Sequence, residues 1–342
     1  MKAALLEKTR VMSVGDQPDP GLPADHALVR VATSAICGTD VSIWAGKMPA
    51  RIPLIPGHEC TGTVEQVGES VTRLKVGDRV VLNPLSSCGT CFYCVRGLTN
   101  ICLHGGLRGR EVPGTFAEYI AVRETEAFAF PEHVSFAAAT NFVGLYTVVY
   151  SQRKAPYIGG ARVAVLGQGS SGLLHTQLAK VSGASSVIAV TRSKWKLEVA
   201  KEMGADEIVP AGEVDPVEAV RDLTDGLGAD IVIETAGAAE TMVQAYDMVR
   251  PGGAILQFGI GPAAVDGVPG QAYYFKDLTV IGSRAGLPED FESAIRLVAT
   301  GQIDLEPLVT HHFALDDIQT GFEFVDAGGD GGTLRAVIDI AN

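Results

Sequence analysis

Between Cys37 and Glu59 the chain places a thiol, an imidazole (His58) and a carboxylate close together, with the hydroxyl of Thr39 two residues after the cysteine. These groups can hold a zinc ion and leave one position open to a substrate, which is the arrangement of a catalytic site. Alone, Cys37 or His58 would read as an ordinary buried residue; together they read as metal ligands. Further on, Cys88, Cys91, Cys94 and Cys102 form C-x2-C-x2-C-x7-C. Two intervening residues let successive sulfurs face one ion, and four thiolates close a tetrahedral structural zinc site. Such a site contributes on the order of 10–16 kcal/mol to folding, enough to order a lobe with little core. A disulfide pair, an iron–sulfur cluster and a nucleic-acid zinc ribbon are the alternatives.

A third group is Gly167-Gln168-Gly169-Ser170-Ser171-Gly172, a G-x-G-x-x-G that follows a predicted strand and opens a predicted helix. That context makes it a dinucleotide-binding turn. The first glycine permits the turn, the second lets a pyrophosphate approach the backbone and the third lets helix and strand pack closely. The end of the next strand selects the cofactor. An acidic residue there would repel a 2′-phosphate by about 4 kcal/mol at ~4 Å and an effective dielectric of ~20. This chain has Thr191 instead, followed by Arg192 and Lys194, with Lys196 close behind. A guanidinium pairs well with phosphate, so NADP is expected over NAD.

The elements around these groups fall into two patterns. At 342 residues, two domains are expected. Up to about residue 146 the chain is β-rich: Ala27–Ala32, Cys60–Val67 and Val76–Leu82 read as strands or turn plus strand. From about Thr147, apolar strands alternate with helices. The strands are 161–166, 186–190, 207–209, 230–234, 254–258 and 278–281; the helices are 171–181, 194–203 and 240–249. This alternation predicts a doubly wound parallel sheet. A helix over 288–300 then leads into a short β-like tail, too small to fold alone, that is expected to rejoin the first domain.

Composition narrows the partners. A formal charge of −13 and a pI near 5.0 exclude nucleic acid and an anionic membrane surface, which both require a basic face. No apolar run reaches the ~18 residues of a membrane span. The segment Met1–Lys8 carries charge too early for a secretion signal, so a cytoplasmic location is expected. Six cysteines then point to thiols and metal rather than disulfides.

On these residues the chain resembles the zinc-containing alcohol dehydrogenases of the medium-chain dehydrogenase/reductase superfamily. Gly57-His58-Glu59-x-x-Gly62 with Gly68 matches the family's zinc signature, and Cys37-Gly38-Thr39-Asp40, the four-cysteine lobe and the glycine turn follow in the family's order. The resemblance covers essentially the whole chain, and the sorbitol, threonine and secondary-alcohol dehydrogenases are the most similar branch. It implies an α/β protein with a GroES-like catalytic domain (1–146, its zinc lobe at 88–102), a Rossmann domain (147–284) and a C-terminal segment (285–342) completing the first domain. It further implies two zinc ions per chain, a small alcohol or ketone substrate and a homodimer or homotetramer. Cys37 and His58 become zinc ligands, Thr39 the group passing the substrate's hydroxyl proton, and Asp40 the partner of His58. Two departures stand out. A third ligand is common near the start of Asn141–Gly144, but Thr140 and Asn141 ligate zinc poorly, so Glu59 is expected to coordinate directly. The relay histidine common five residues after the cysteine is Ser42, leaving Thr39, Ser42 and water as the proton path. A zinc-free quinone or enone reductase and a catalytically silent NADPH-binding protein are the rival readings. Sequence does not choose which of Trp44, Asn83, Phe116 or Phe142 lines a substrate pocket.

Overall fold

A computed structural model describes residues 1–156 and 158–340. The chain divides into two units: Met1–Val143 with Leu287–Asn342, and Gly144–Gly286. The division lies slightly before residue 147, within one helix, Phe142–Arg153. Most of that helix's residues are buried on every side, so it carries no one-sided apolar stripe for the sequence to reveal.

In the first unit a seven-stranded sheet runs in the order Val309–Ala314, Arg335–Asp339, His26–Ala35, Glu59–Val67, Arg79–Leu82, Ala127–Ala129, with Tyr119–Arg123 also paired to His26–Ala35. The ten-residue strand His26–Ala35 organises it: His26–Arg30 pairs with Tyr119–Arg123, and Thr33–Ala35 pairs with Arg335–Asp339, both antiparallel. Alternating small and β-branched residues of these strands, among them Val29, Val31, Val64, Val80 and Ile120, fill one core. A second core joins the two ends of the chain. Ala4, Leu6, Ile43, Trp44 and Phe116 pack with Leu315, Ile318, Phe322 and Ile338, and Phe322 lies 6.0 Å from Trp44 and 5.8 Å from Phe116 between ring centroids.

The tail therefore rejoins the first unit, and the expected β-like segment also contains a helix. Between its two strands lies a helix, Ile318–Asp326, burying Ile318, Gly321 and Phe322. The Ile318–Phe322 spacing puts both side chains on one helical face. The N-terminal hairpin Lys2–Lys8/Val11–Asp16 was not anticipated either. Trp44, Phe116 and Phe142 are core residues, each at most 2% exposed, and Asn83 is buried with its Oδ1 accepting from Leu85 N.

The second unit is a six-stranded, all-parallel sheet in the order Glu207–Pro210, Ser186–Thr191, Arg162–Leu166, Ala229–Glu234, Val249–Gln257, Thr279–Gly282. Numbered along the chain this is 3-2-1-4-5-6, the doubly wound dinucleotide-binding order. Its central strands are largely apolar because both faces are covered: Ala164, Ile188 and Val232 enter one core, Val163, Val187 and Ile231 the other. Among the described residues no helix is long and apolar enough to cross a membrane.

Candidate active site and zinc lobe

Cys37 follows the strand His26–Ala35 and stands at the N-cap of the helix Gly38–Trp44, with extended backbone (φ −92°, ψ 152°). Asp40, in the first turn, is 1% exposed and divides its carboxylate between two tasks. Oδ2 accepts from the backbone N–H of Cys37 at 3.0 Å, and Oδ1 pairs with His58 Nδ1 at 3.0 Å. One buried carboxylate thus fixes the cysteine's backbone and the imidazole's orientation, directing the lone pair of Nε2 away from itself. His58 is placed by Gly57, whose φ of +94° and whose close approach to Phe116 and Thr115 exclude a side chain: an added Cβ would lie 2.8 Å from both.

Ligand atoms of Cys37, His58 and Glu59 lie within 4.8 Å of one another. Burial works against a charged His58 ring, but the charges of Asp40 and Cys37 outweigh it and hold the imidazole's pKa well above its ordinary value. A thiol, an imidazole and a carboxylate brought this close together suit zinc in particular. Thr39 is half-buried, and its hydroxyl makes no hydrogen bond among the described residues. Ser42 donates to Gly38 O at 2.8 Å, back along its own helix.

Thr140 and Asn141 are engaged elsewhere. Thr140 Oγ1 donates to Ala137 O at 2.6 Å, and Asn141 Nδ2 donates to Ala138 O at 3.2 Å. Sequence reasoning missed Arg335. Its Nη1 donates to Glu59 Oε2 at 2.5 Å and its Nε to Asn141 Oδ1 at 3.2 Å, all three side chains being buried. No local motif marks it, because the strand pairing that brings it in spans most of the chain.

Cys88, Cys91, Cys94 and Cys102 converge in a loop closed by the two-residue ladder Leu85–Ser86/Gly106–Leu107. Sulfur–sulfur distances are 3.5 Å for Cys88–Cys102, 3.9 Å for Cys91–Cys102 and 4.0 Å for Cys88–Cys94. Backbone amides face the sulfurs: Cys91 N donates to Cys88 Sγ, Cys88 N and His104 N to Cys102 Sγ. The amides of Thr90 and Cys91 bring the Cys88 thiol down to about 6, whereas burial pushes Cys94 up to about 12. Phe92, Val95 and Leu103 are 58%, 63% and 62% exposed, so the lobe has almost no apolar core of its own. Its neck is tied down by buried Arg108, which pairs with Glu126 and donates to Asn83 O.

In the second unit the glycine turn leaves the strand Arg162–Leu166 and opens the helix Ser170–Val181. Gly167 has φ +91°, and a Cβ on Gly172 would strike the carbonyl oxygen of Gly167. Around Gly169 nothing lies within 4 Å of an added Cβ. The cradle is thus closed on its protein side and open where Ser170, Ser171 and the helix N-terminus would meet an anion. Gln168 turns inward, donating to Val165 O and accepting from Thr176, and Thr235 Oγ1 is 2.9–3.0 Å from the carbonyls of Leu166 and Gly167. Thr191 ends the neighbouring strand. Arg192 is exposed and forms no ion pair among the described residues, Lys194 pairs with Glu213 at 2.5 Å, and Lys196 is half-buried with its pKa lowered by desolvation.

Residues 23–132 match the alcohol dehydrogenase GroES-like domain, and residues 172–300 match the zinc-binding dehydrogenase family. The sorbitol dehydrogenase of Halalkalibacterium halodurans is 32% identical over 92% of this chain and 93% of its own length. The L-threonine 3-dehydrogenase of Pyrococcus abyssi is 35% identical over 92% of each chain. Among solved structures, an alcohol dehydrogenase from Thermus sp. ATN1 superposes with a TM-score of 0.92 at 32% identity over all of both chains. A zinc-binding dehydrogenase from Sinorhizobium meliloti 1021 bound to NADP superposes at 0.91 with 31% identity, over 99% of this chain and 98% of that one.

Proposed function

This chain belongs to the zinc-containing alcohol dehydrogenases of the medium-chain superfamily and is an oxidoreductase acting on CH–OH groups, and we propose that it interconverts a secondary alcohol or polyol and its ketone with NADP as the preferred cofactor. The observation that carries the reading is Asp40, which holds Cys37 and His58 with their ligand atoms within 4.8 Å of one another. Cys37, His58 and Glu59 would hold the catalytic zinc, and the four cysteines of the lobe a second one. A zinc ion in the first site supplies Lewis acidity toward an alcohol or carbonyl oxygen.

The chain's own residues then have distinct tasks. Asp40 keeps Nδ1 of His58 engaged, so that Nε2 remains a ligand atom. Thr39, with an uncommitted hydroxyl, takes the proton that leaves the substrate oxygen and passes it outward. Ser42 can accept that proton's hydrogen bond only through its lone pairs, since its own hydrogen goes to Gly38 O. A positioned acceptor is worth ~10²–10⁴-fold. The amides opening the helix at Ser170 and Ser171 would bind the pyrophosphate. Oxidation takes a hydride from the carbinol carbon and a proton from its oxygen; a bound nicotinamide would supply the hydride acceptor.

The preference for NADP rests on Thr191 in place of an acidic residue and on the uncommitted guanidinium of Arg192, with Lys196 behind it. The NADP-bound relative is consistent with it. Relatives named for sorbitol, L-threonine and D-xylulose support a substrate whose reacting carbinol has a polar neighbour. Self-association into a dimer or tetramer is supported by the exposed edge strand Thr279–Gly282, preceded by Tyr274 and Phe275 at 84% and 75% exposure. The zinc-free reductase reading is favoured by one observation, the claim of Arg335 on Glu59.

Steady-state assays with sorbitol, L-threonine and a simple secondary alcohol, each with NADP and NAD, test the proposal. Turnover is expected on at least one substrate with higher kcat/KM for NADP, and Arg192→Ala is expected to reduce that preference about tenfold or more, as for a lost charged hydrogen bond. Equal or better use of NAD, unchanged by Arg192→Ala, would contradict the cofactor assignment.

A further inference from the structure

Glu59 stands between two claimants. One carboxylate oxygen, Oε2, is 2.5 Å from Arg335 Nη1, and the residue also belongs to the group formed with Cys37 and His58. Arg335 is itself held: its Nε donates to Asn141 Oδ1, and the Asn141 amide is oriented by its donation to Ala138 O. The three side chains are 5% (Glu59), 8% (Arg335) and 0% (Asn141) exposed, so water does not screen the pair. A guanidinium held through Nε by Asn141 presents Nη1 to the carboxylate in a fixed place. It also draws on the negative charge that a metal would use.

Resting on the reading that Cys37 and His58 hold zinc, we infer that Arg335, anchored by Asn141, is a positioning residue that tempers the hold of Glu59 on the catalytic metal. The role of Asn141 is to fasten the arginine. The catalytic zinc is thereby exchangeable, in contrast to a zinc in the four-cysteine lobe, whose candidate ligands are thiols faced by backbone amides rather than a carboxylate shared with a guanidinium.

The test is zinc affinity at each site of the full-length protein, measured by competition with a chromophoric chelator. Wild type is compared with Arg335→Met, Glu59→Gln and the double variant, the lobe zinc serving as the reference for intact folding. Arg335→Met is expected to tighten the weaker site about tenfold or more, the scale on which residues behind metal ligands act. In the Glu59→Gln background the same change should alter affinity by no more than about twofold, the limit of simple additivity. Arg335→Lys should return affinity toward wild type, and Asn141→Leu should shift it in the same direction as Arg335→Met by a smaller factor. An unchanged or weaker site in Arg335→Met, or an equal gain with and without Glu59, would overturn the inference. If Arg335→Met loses the lobe zinc as well, Asn141→Leu decides, and no tightening there overturns it. Wild type with only the lobe zinc would instead refute the proposed function.

Discussion

The four-cysteine lobe and the Cys37–His58–Glu59 group belong to the same unit, yet they are held in opposite ways. In the lobe, four chemically identical candidate ligands come from one loop of fifteen consecutive positions, 88–102, and backbone amides point at their sulfurs. Phe92, Val95 and Leu103 face outward. In the other group, three different candidate ligands come from two stretches of chain, and buried side-chain charges (Asp40 behind His58, Arg335 behind Glu59) set the positions of two of them. On the proposed reading, a loop that makes its own cage would need its metal to be ordered, whereas a cage made by a folded sheet would exist before the metal arrives and could have its affinity adjusted from outside.

The largest effect that would break this comparison is expected at the lobe. Cys94→Ser should remove its zinc and, with it, folding free energy on the order of 10 kcal/mol. Limited proteolysis should then cut within 88–106 while the rest of the first unit stays protected; an uncut lobe would mean that it folds without metal. Next is the neck. Arg108→Met leaves Glu126 buried without its closest partner, a change that costs about 3–5 kcal/mol. The lower end is expected, because Arg123 Nη1 remains 3.7 Å from Glu126 Oε1. Thermal unfolding should show the loss, with the catalytic group still able to bind zinc.

Asp40→Asn acts on the other site alone. The amide can accept from Cys37 N or from His58 Nδ1 through its one oxygen, not both, so catalytic zinc affinity or kcat should fall about 10–100-fold with lobe zinc and Tm nearly unchanged. Smallest is a change that touches neither metal. Gly172→Ala forces a methyl against the Gly167 carbonyl, costing about 1–3 kcal/mol as overpacking does. Dinucleotide affinity measured by fluorescence should drop while two zincs remain bound.

How much of this could be read in advance follows the same division. Cys88–Cys102 and Gly167–Gly172 carry their geometry in local spacing, and the alternation of apolar strands with helices after residue 147 is local too; all were legible. Cys37 and His58 were legible as a pair of types, but their partners differ. Asp40 is close in sequence and emerged from the resemblance, whereas Arg335 lies 276 residues from Glu59 and emerged only from strand pairing. The helix Phe142–Arg153 was hidden because a helix buried all round has no periodicity to show. In the tail, the strands Val309–Ala314 and Arg335–Asp339 drew attention from the helix between them, whose apolar face exists to meet Trp44 and Phe116.

The most direct measurement is the number of zinc ions per chain in protein purified without chelator, for wild type and Cys37→Ala. Two falling to one, with dehydrogenase activity lost, is the expected result. One zinc in both would mean that the Cys37 site holds no metal, contradicting the zinc-dependent mechanism.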